Sequence, residues 1–514
     1  MSRIEDIQAS TGPAAPLRVE ADAFRRLGHQ LIEDLAERLD AVPRGPVTPA
    51  ERPSDVRDVL GAANGLPETA ADPADVLRRA TSLLFEHSLF NGHPRFFGYI
   101  TSSPAPIGML GDLLAAAVNA NVGAWNLAPM ATEIELQTVR WIAELIGFPI
   151  DCGGMMVSGG NMANMLGYFA ARAAKTPWDV RTQGVAAKAT RLRVYVSSET
   201  HTWVQKAADM SGLGTDAVRW IPTDAAERMD VGALVRQIDE DRTQGDVPVM
   251  VVGTAGTVST GAIDPLRAIA RVCRERDVWF HVDGAYGGFA AALPDAPDDL
   301  KALAEADSVA VDPHKWLYAP VEVGCCLVRK PEALHAAFSF HPPYYHFDES
   351  VVNFFDYGPQ NSRGFRALKV WLALQHAGAR GYRAMMTHDI AMARLLGELL
   401  TAHPEFEVHG TELSITTFRY VPPDLRDRTN QRGVPEYLDD LNRALLDASQ
   451  KRGEVFVSNA VTAGRFLLRA CLVNFNTHDP DIRAVPDLLA PLGRRLDAER
   501  RPATFNEGHE EERP

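Results

Sequence analysis

The chain has 514 residues, 46% of them hydrophobic and 23% charged, and carries a formal net charge of −15. That length allows two or three structural units around at least one large core, and the acidic balance argues against nucleic acid or an anionic membrane surface as a partner. The cysteines Cys152, Cys273, Cys325, Cys326 and Cys471 lack metal-ligand spacing, and no apolar run reaches spanning length. The start Met1-Ser-Arg-Ile-Glu-Asp has no signal core, so a cytoplasmic protein without a metal site is expected.

In chain order, residues 1–18 read as a disordered arm. From Glu20 to Leu39 the apolar positions Phe24, Leu27, Leu31, Leu35 and Leu39 predict an amphipathic helix. Four prolines between Pro43 and Pro53 end it. A second helix is expected over Pro73–Phe90. The irregular, aromatic stretch Gly92–Pro104 reads either as a pocket wall or as a packed connector. An Ala-rich helix over Ile107–Asn121 follows, and Thr132 with Glu135 has the form of a capping box opening a helix to Leu145.

Between 153 and 390 strand and helix patterns alternate, as in a mainly parallel α/β sheet. The strand candidates are Arg193–Ser197, Val218–Ile221, Val247–Val252, Val278–Val282, Ser308–Val311 and Gly324–Val328. A helix over Phe365–His376 leads out of this region. A smaller α+β unit follows from Ala391, with strands at Glu407–His409, Ile415–Tyr420 and Arg465–Leu472. Asn506–Pro514 is a charged tail.

One stretch carries unusual chemistry. In Asp307-Ser-Val-Ala-Val-Asp-Pro-His-Lys-Trp-Leu-Tyr318 a short buried strand breaks at Asp312-Pro313 and is followed by Lys315 between two rings. Burying an unpaired ammonium costs several kcal/mol, so the position suits an amine that is neutral or condensed with a carbonyl. Upstream, the strand Val278–Val282 ends in Asp283, followed by Gly284, Ala285, Gly287 and Gly288, which leave room for a flat ring. Asp283 alone reads equally well as a turn cap. Paired with Lys315, it matches the needs of pyridoxal 5′-phosphate: a lysine for the imine and a carboxylate for the pyridine nitrogen.

These ordered motifs, spanning roughly residues 80 to 390, resemble the pyridoxal-phosphate-dependent group II amino-acid decarboxylases, relatives of aromatic-L-amino-acid and glutamate decarboxylase. The resemblance implies the fold type I (aspartate-aminotransferase-like) architecture. That is a mainly parallel seven-stranded sheet with a helical N-terminal layer and a small α+β C-terminal domain. It also implies a homodimer with composite active sites, in which residues 19–120 pack on the partner, 121–390 bind the cofactor and 391–505 form the small domain.

The glycine turn of Val157-Ser-Gly-Gly-Asn-Met-Ala-Asn-Met165 opens a helix, where bare N–H groups can hold a phosphate. Gly160 and Asn161 are its expected donors. The resemblance adds Ser308, Asp312 and His314, makes Thr254 a position lining the cofactor, and places the imidazole of His201 over the pyridine; Ala285, after Asp283, is also an expected cofactor neighbour. Asp312 departs from relatives with Asn there and cannot donate to a phosphate while ionised; it acts through water or shapes the turn. Asp264 is expected to cap the helix beginning at Pro265. Tyr344, with Tyr345 as rival, aligns with the loop tyrosine that protonates the carbon left by CO2, and a tyrosine there favours decarboxylation over oxidative aldehyde formation.

For the substrate, Tyr99, Ile100, Thr101, Ser102, His201 and Ser362 are the expected neighbours. Asn91, Ile100, Gly123 and Val321 replace residues that are aromatic in animal relatives and imply a roomier or more aliphatic pocket. The implied reaction is loss of CO2 from an L-amino acid, aromatic first and branched aliphatic second, through a Lys315 Schiff base and a quinonoid intermediate. Aldehyde synthesis, transamination and carbon–carbon lysis on the same fold are the enzymic alternatives, and a catalytically silent scaffold is the non-enzymic one.

Overall fold

The computed structural model describes residues 17–341 and 350–505. Its larger sheet has seven strands: β1 (Gly153–Val157), β2 (Leu192–Ser197), β3 (Val218–Ile221), β4 (Val247–Thr254), β5 (Trp279–Asp283), β6 (Ser308–Val311) and β7 (Gly324–Val328). They lie in the order β1-β7-β6-β5-β4-β2-β3. Only β7 runs against its neighbours.

All six expected strands are present, three with ends moved by one or two residues. β1 escaped the sequence reading because its Gly-Gly opening weakens a strand pattern. Those glycines are what let β7 come close: a Cβ on Gly154 would lie 2.5 Å from the Cys326 carbonyl oxygen. The strands are almost entirely buried, since helices cover both faces.

The helix read as starting at Thr132 begins earlier, at Pro129, and runs to Ile146. Thr132 lies inside it and donates to the Ala128 carbonyl at 2.9 Å. Glu135 is buried, accepting from the Met156 amide at 2.8 Å and from the Arg363 guanidinium at 2.5 Å. There is no capping box. The carboxylate is spent on a buried ion pair that joins this helix to β1.

The helix expected to end at His376 runs over Ala367–Ala402, with a break at Gly378 (φ 62°). Buried Tyr382, Met386, Ala393, Leu396 and Leu400 resume the pattern beyond the break. That second half packs on a four-stranded antiparallel sheet of β8 (Phe406–Glu412), β9 (Ile415–Tyr420), β10 (Ser458–Thr462) and β11 (Arg465–Cys471), in the order β10-β11-β9-β8. β10 was missed because its Ser-Asn-Ala-Val-Thr sequence is short and polar.

The N-terminal layer is different in kind. The helix Ala21–Ala41 buries no residue, nor does Pro53–Leu60. The helix Pro106–Val118 exposes Leu110, Leu113, Leu114 and Val118, each at least half open to solvent. Among the described residues no helix is long and apolar enough to cross a membrane. All five cysteines are unpaired.

Candidate active site

The C-terminal ends of the strands converge on one cavity of about 310 Å³. Open α/β sheets bind ligands at that edge, because strand ends and helix starts present unpaired backbone groups there. Ser158, Gly159 and Gly160 follow β1, Glu199 and His201 follow β2, and Thr254 closes β4. Asp283 ends β5, and Asp312, His314 and Lys315 follow β6.

Lys315 sits in a single turn, Pro313–Trp316, set by the proline. Its Nζ lies 3.1 Å from Asp312 Oδ2, on a carboxylate only 1% exposed. The same turn is held from several sides. Ser102 Oγ donates to the His314 carbonyl at 2.9 Å, and the His314 ring meets the Val323 carbonyl through Nδ1 at 2.7 Å. Asp389, from the long helix, accepts from Trp316 Nε1 at 2.9 Å and Tyr318 Oη at 2.7 Å. Burial raises the Asp389 carboxyl to about 7, against those two hydrogen bonds.

Asp283 is oriented by two donors. Trp203 Nε1 reaches Oδ2 at 2.8 Å and the Ala285 amide reaches Oδ1 at 3.2 Å. Trp203 opens the helix Trp203–Met210, and its amide donates to His201 Nδ1 at 3.3 Å. One residue therefore fixes both the carboxylate and the imidazole. Burial lowers the His201 pKa from its ordinary value and outweighs the pull of Asp283.

The glycine turn is built for close approach. Gly159 has φ 111°, and a Cβ on Gly160 would fall 2.6 Å from Asp312 Oδ2. Asn164 Nδ2 donates to the Gly160 carbonyl at 2.9 Å, and Asn164 Oδ1 meets His281 Nε2 at 2.7 Å. Two buried oxygens lining the cavity, Thr254 Oγ1 and Asp312 Oδ1, have no hydrogen-bond partner among the described residues. Nearly every buried polar atom in a folded protein is partnered, so these two mark the cavity as a place for a polar ligand. An amine, a ring-facing carboxylate, an imidazole and a bare backbone turn in one cavity fit pyridoxal phosphate.

A model of the pyridoxal-dependent decarboxylase conserved domain matches residues 61–421. The chain belongs to that family. An aromatic-L-amino-acid decarboxylase of Bacillus atrophaeus is 32% identical over 466 residues, covering 90% of this chain and 93% of the relative. Mouse CSAD superposes with a TM-score of 0.87 at 27% identity, covering 92% of this chain and 99% of the other. The Oryza sativa TDC structure with PLP and tryptamine gives a TM-score of 0.85 at 27% identity, covering 93% and 99%. This decarboxylase is therefore a fold type I enzyme that uses pyridoxal phosphate.

Of the expected residues, Gly160, Asn161, His201, Thr254, Asp283, Ala285, His314 and Lys315 share the cavity. Ser308 does not: it starts β6 at the far end of the strand, where its hydroxyl bonds His281 Nδ1 at 2.7 Å and Trp279 Nε1 at 2.8 Å. It reaches the cavity only through His281 and Asn164. Asp264 caps no helix; its carboxylate accepts from the amides of Met229 and Thr254, and so fixes Thr254.

Tyr99, Ile100, Thr101, Ser102 and Ser362 line no part of the cavity formed by this one chain. Tyr99 and Ser362 are exposed. At Gly123 this backbone leaves no room for a side chain, since a Cβ there would lie 2.1 Å from the Asn361 carbonyl oxygen. Tyr344 and Tyr345 lie outside the described residues.

The sequence reading missed Trp203, Asn164 and Glu199. Trp203 had a legible signal, a tryptophan two residues after His201 at a helix start. Glu199 lines the cavity with its pKa raised, first by burial and then by the charge of Glu227.

Proposed function

We propose that this decarboxylase removes CO2 from an aromatic L-amino acid to release the amine, and that it works as a cytoplasmic homodimer. The observation that carries the reading is the single cavity holding Lys315, Asp283 and His201. The aromatic-substrate relative at 32% identity supports the substrate class. The bound cofactor supplies the sink for the electron pair left when CO2 departs.

The chain's own residues do the rest. Lys315 would hold the cofactor through Nζ, and as a free amine it can carry a proton. Asp283, steadied by Trp203 and the Ala285 amide, keeps the proton on the pyridine nitrogen. His201 would present its flat face to the cofactor ring and orient the substrate carboxylate. Tyr344, or Lys315 Nζ, would donate a proton to Cα in place of the departed CO2. The exposed leucines of the Pro106–Val118 helix and the unburied N-terminal helices support a partner copy covering this face. The unpaired cysteines are consistent with a reducing compartment.

The test is an absorbance scan of the purified protein before and after addition of aromatic and branched aliphatic L-amino acids, with amine, CO2 and aldehyde assayed. The expected result is a cofactor band that Lys315→Ala abolishes and amine formed fastest from an aromatic substrate. Amine from a branched aliphatic substrate alone would refute the substrate class. Aldehyde with peroxide in place of amine would refute the reaction.

A further inference from the structure

Outside the cavity one cluster of ligand-type side chains stands by itself. His335 lies on the helix Glu332–Phe338, His341 follows that helix, and Asp356 closes the turn Phe354–Asp356. One nitrogen or oxygen from each lies within 4.8 Å of the others. His341 Nε2 is 2.9 Å and 3.0 Å from the two Asp356 oxygens. Asp356 is only 5% exposed, while both imidazoles are open to solvent. The His335 ring stands edge-on to His341 at 6.2 Å and to Tyr357 at 5.9 Å.

A buried carboxylate normally acquires a fixed cation. Arg181 does not serve: its guanidinium donates to the carbonyls of Ala336 and Ser339 and lies over the Phe340 ring. Among the described residues no arginine or lysine pairs with Asp356. A plain His341–Asp356 hydrogen bond would account for two of the three side chains and leaves His335 unexplained.

We infer that His335, His341 and Asp356 form a binding site for a divalent transition metal of the zinc class. Two imidazoles and one carboxylate are a three-ligand set that Zn²⁺ accepts with a fourth position open to water. Tetrahedral bonds of roughly 2.0–2.2 Å place donor atoms roughly 3.3–3.5 Å apart, inside the span these atoms already cover. Both imidazoles are exposed to solvent. Ser339 Oγ donates to Asp356 Oδ1 at 2.8 Å and supplies the outer hydrogen bond that orients a ligating carboxylate. Calcium and magnesium prefer more oxygen donors than this cluster offers. None of the three residues lines the cofactor cavity, so occupation ties the Glu332–Phe338 helix to the Phe354–Asp356 turn without entering the reaction.

The probe is Co²⁺, titrated into the untagged holoenzyme and into the His335→Ala/His341→Ala variant, with visible ligand-field absorption and equilibrium dialysis as readouts. The cofactor band of the variant reports that it folds. The expected result is one tightly held Co²⁺ per wild-type chain, displaced by Zn²⁺, with affinity at least tenfold weaker in the variant. Equal affinity and stoichiometry in the two proteins would overturn the inference, as would wild-type protein that shows no ligand-field bands at millimolar Co²⁺.

Discussion

At Asp283 the carboxylate proposed to serve the cofactor is held by a neighbouring indole. The indole of Trp203 donates to Oδ2, and the same residue's amide holds His201. A hydrogen bond to a charged group contributes about 1.5–3 kcal/mol. Trp203→Phe keeps the ring and the amide but loses the indole N–H, so kcat/KM is expected to fall roughly 10- to 100-fold while His201 stays in place. Steady-state kinetics with the cofactor band as a folding control check this; unchanged kinetics would show that the Ala285 amide suffices. Lys315, Asp283 and His201 were legible in the sequence because each follows a strand pattern in a motif of fixed order. Ser308 was not, because which end of a four-residue strand faces the cavity depends on the sheet's direction. Glu135 shows the same limit: its spacing from Thr132 matches a cap, but its actual partner, Arg363, is far away in sequence.

Between elements, Asp389 joins the long helix Ala367–Ala402 to the lysine turn through Trp316 and Tyr318. Its folded-state pKa of about 7 lies above the ordinary 3.8. The neutral carboxyl is thus favoured in the fold, and its contribution is fully present below about pH 4 and lost as pH rises through about 7. Three pKa units correspond to about 4 kcal/mol at most. Asp389→Asn removes this titration, so the stability of wild type relative to the variant should fall with pH across that window. Thermal midpoints of both proteins at pH 5 to 8 check this, and a difference that stays constant with pH would refute it. The strands of the larger sheet were readable because buried parallel strands are continuous apolar runs. β1 and β10 lacked that signature, one through glycines that packing demands and the other through polar residues on a small sheet.

For the whole molecule, the fold leaves a face that a solitary chain has no reason to keep. Leu110, Leu113, Leu114 and Val118 sit half or more exposed on one helix, and burying such side chains contributes about 1.5–3 kcal/mol each. Leu113→Glu with Leu114→Glu should shift the protein from dimer to monomer in sedimentation velocity and remove activity with it. A variant that stays the size of wild type and fully active would show that this face is not the interface. The aromatic loop, the Tyr99–Ser102 segment and Ser362 belong to this scale as well. Sequence motifs assigned them to the site; Tyr99–Ser102 and Ser362 do not line the cavity that holds Lys315, and the loop's tyrosines lie outside the described residues.

The contact between Gly159 and Gly324 also sets an order of events. A Cβ on Gly324 would lie 2.5 Å from the Gly159 backbone, so the phosphate-facing turn is walled by a strand that the ribosome delivers much later. Chains fold from the N-terminus as they emerge, but β1 has no partner until β7 exists. A nascent chain halted just before β7 therefore has its glycine turn, Asp283 and Lys315 but not the wall. On this topology the wall behind the glycine turn is completed only once β7 has been made, although every cavity residue has by then been synthesised.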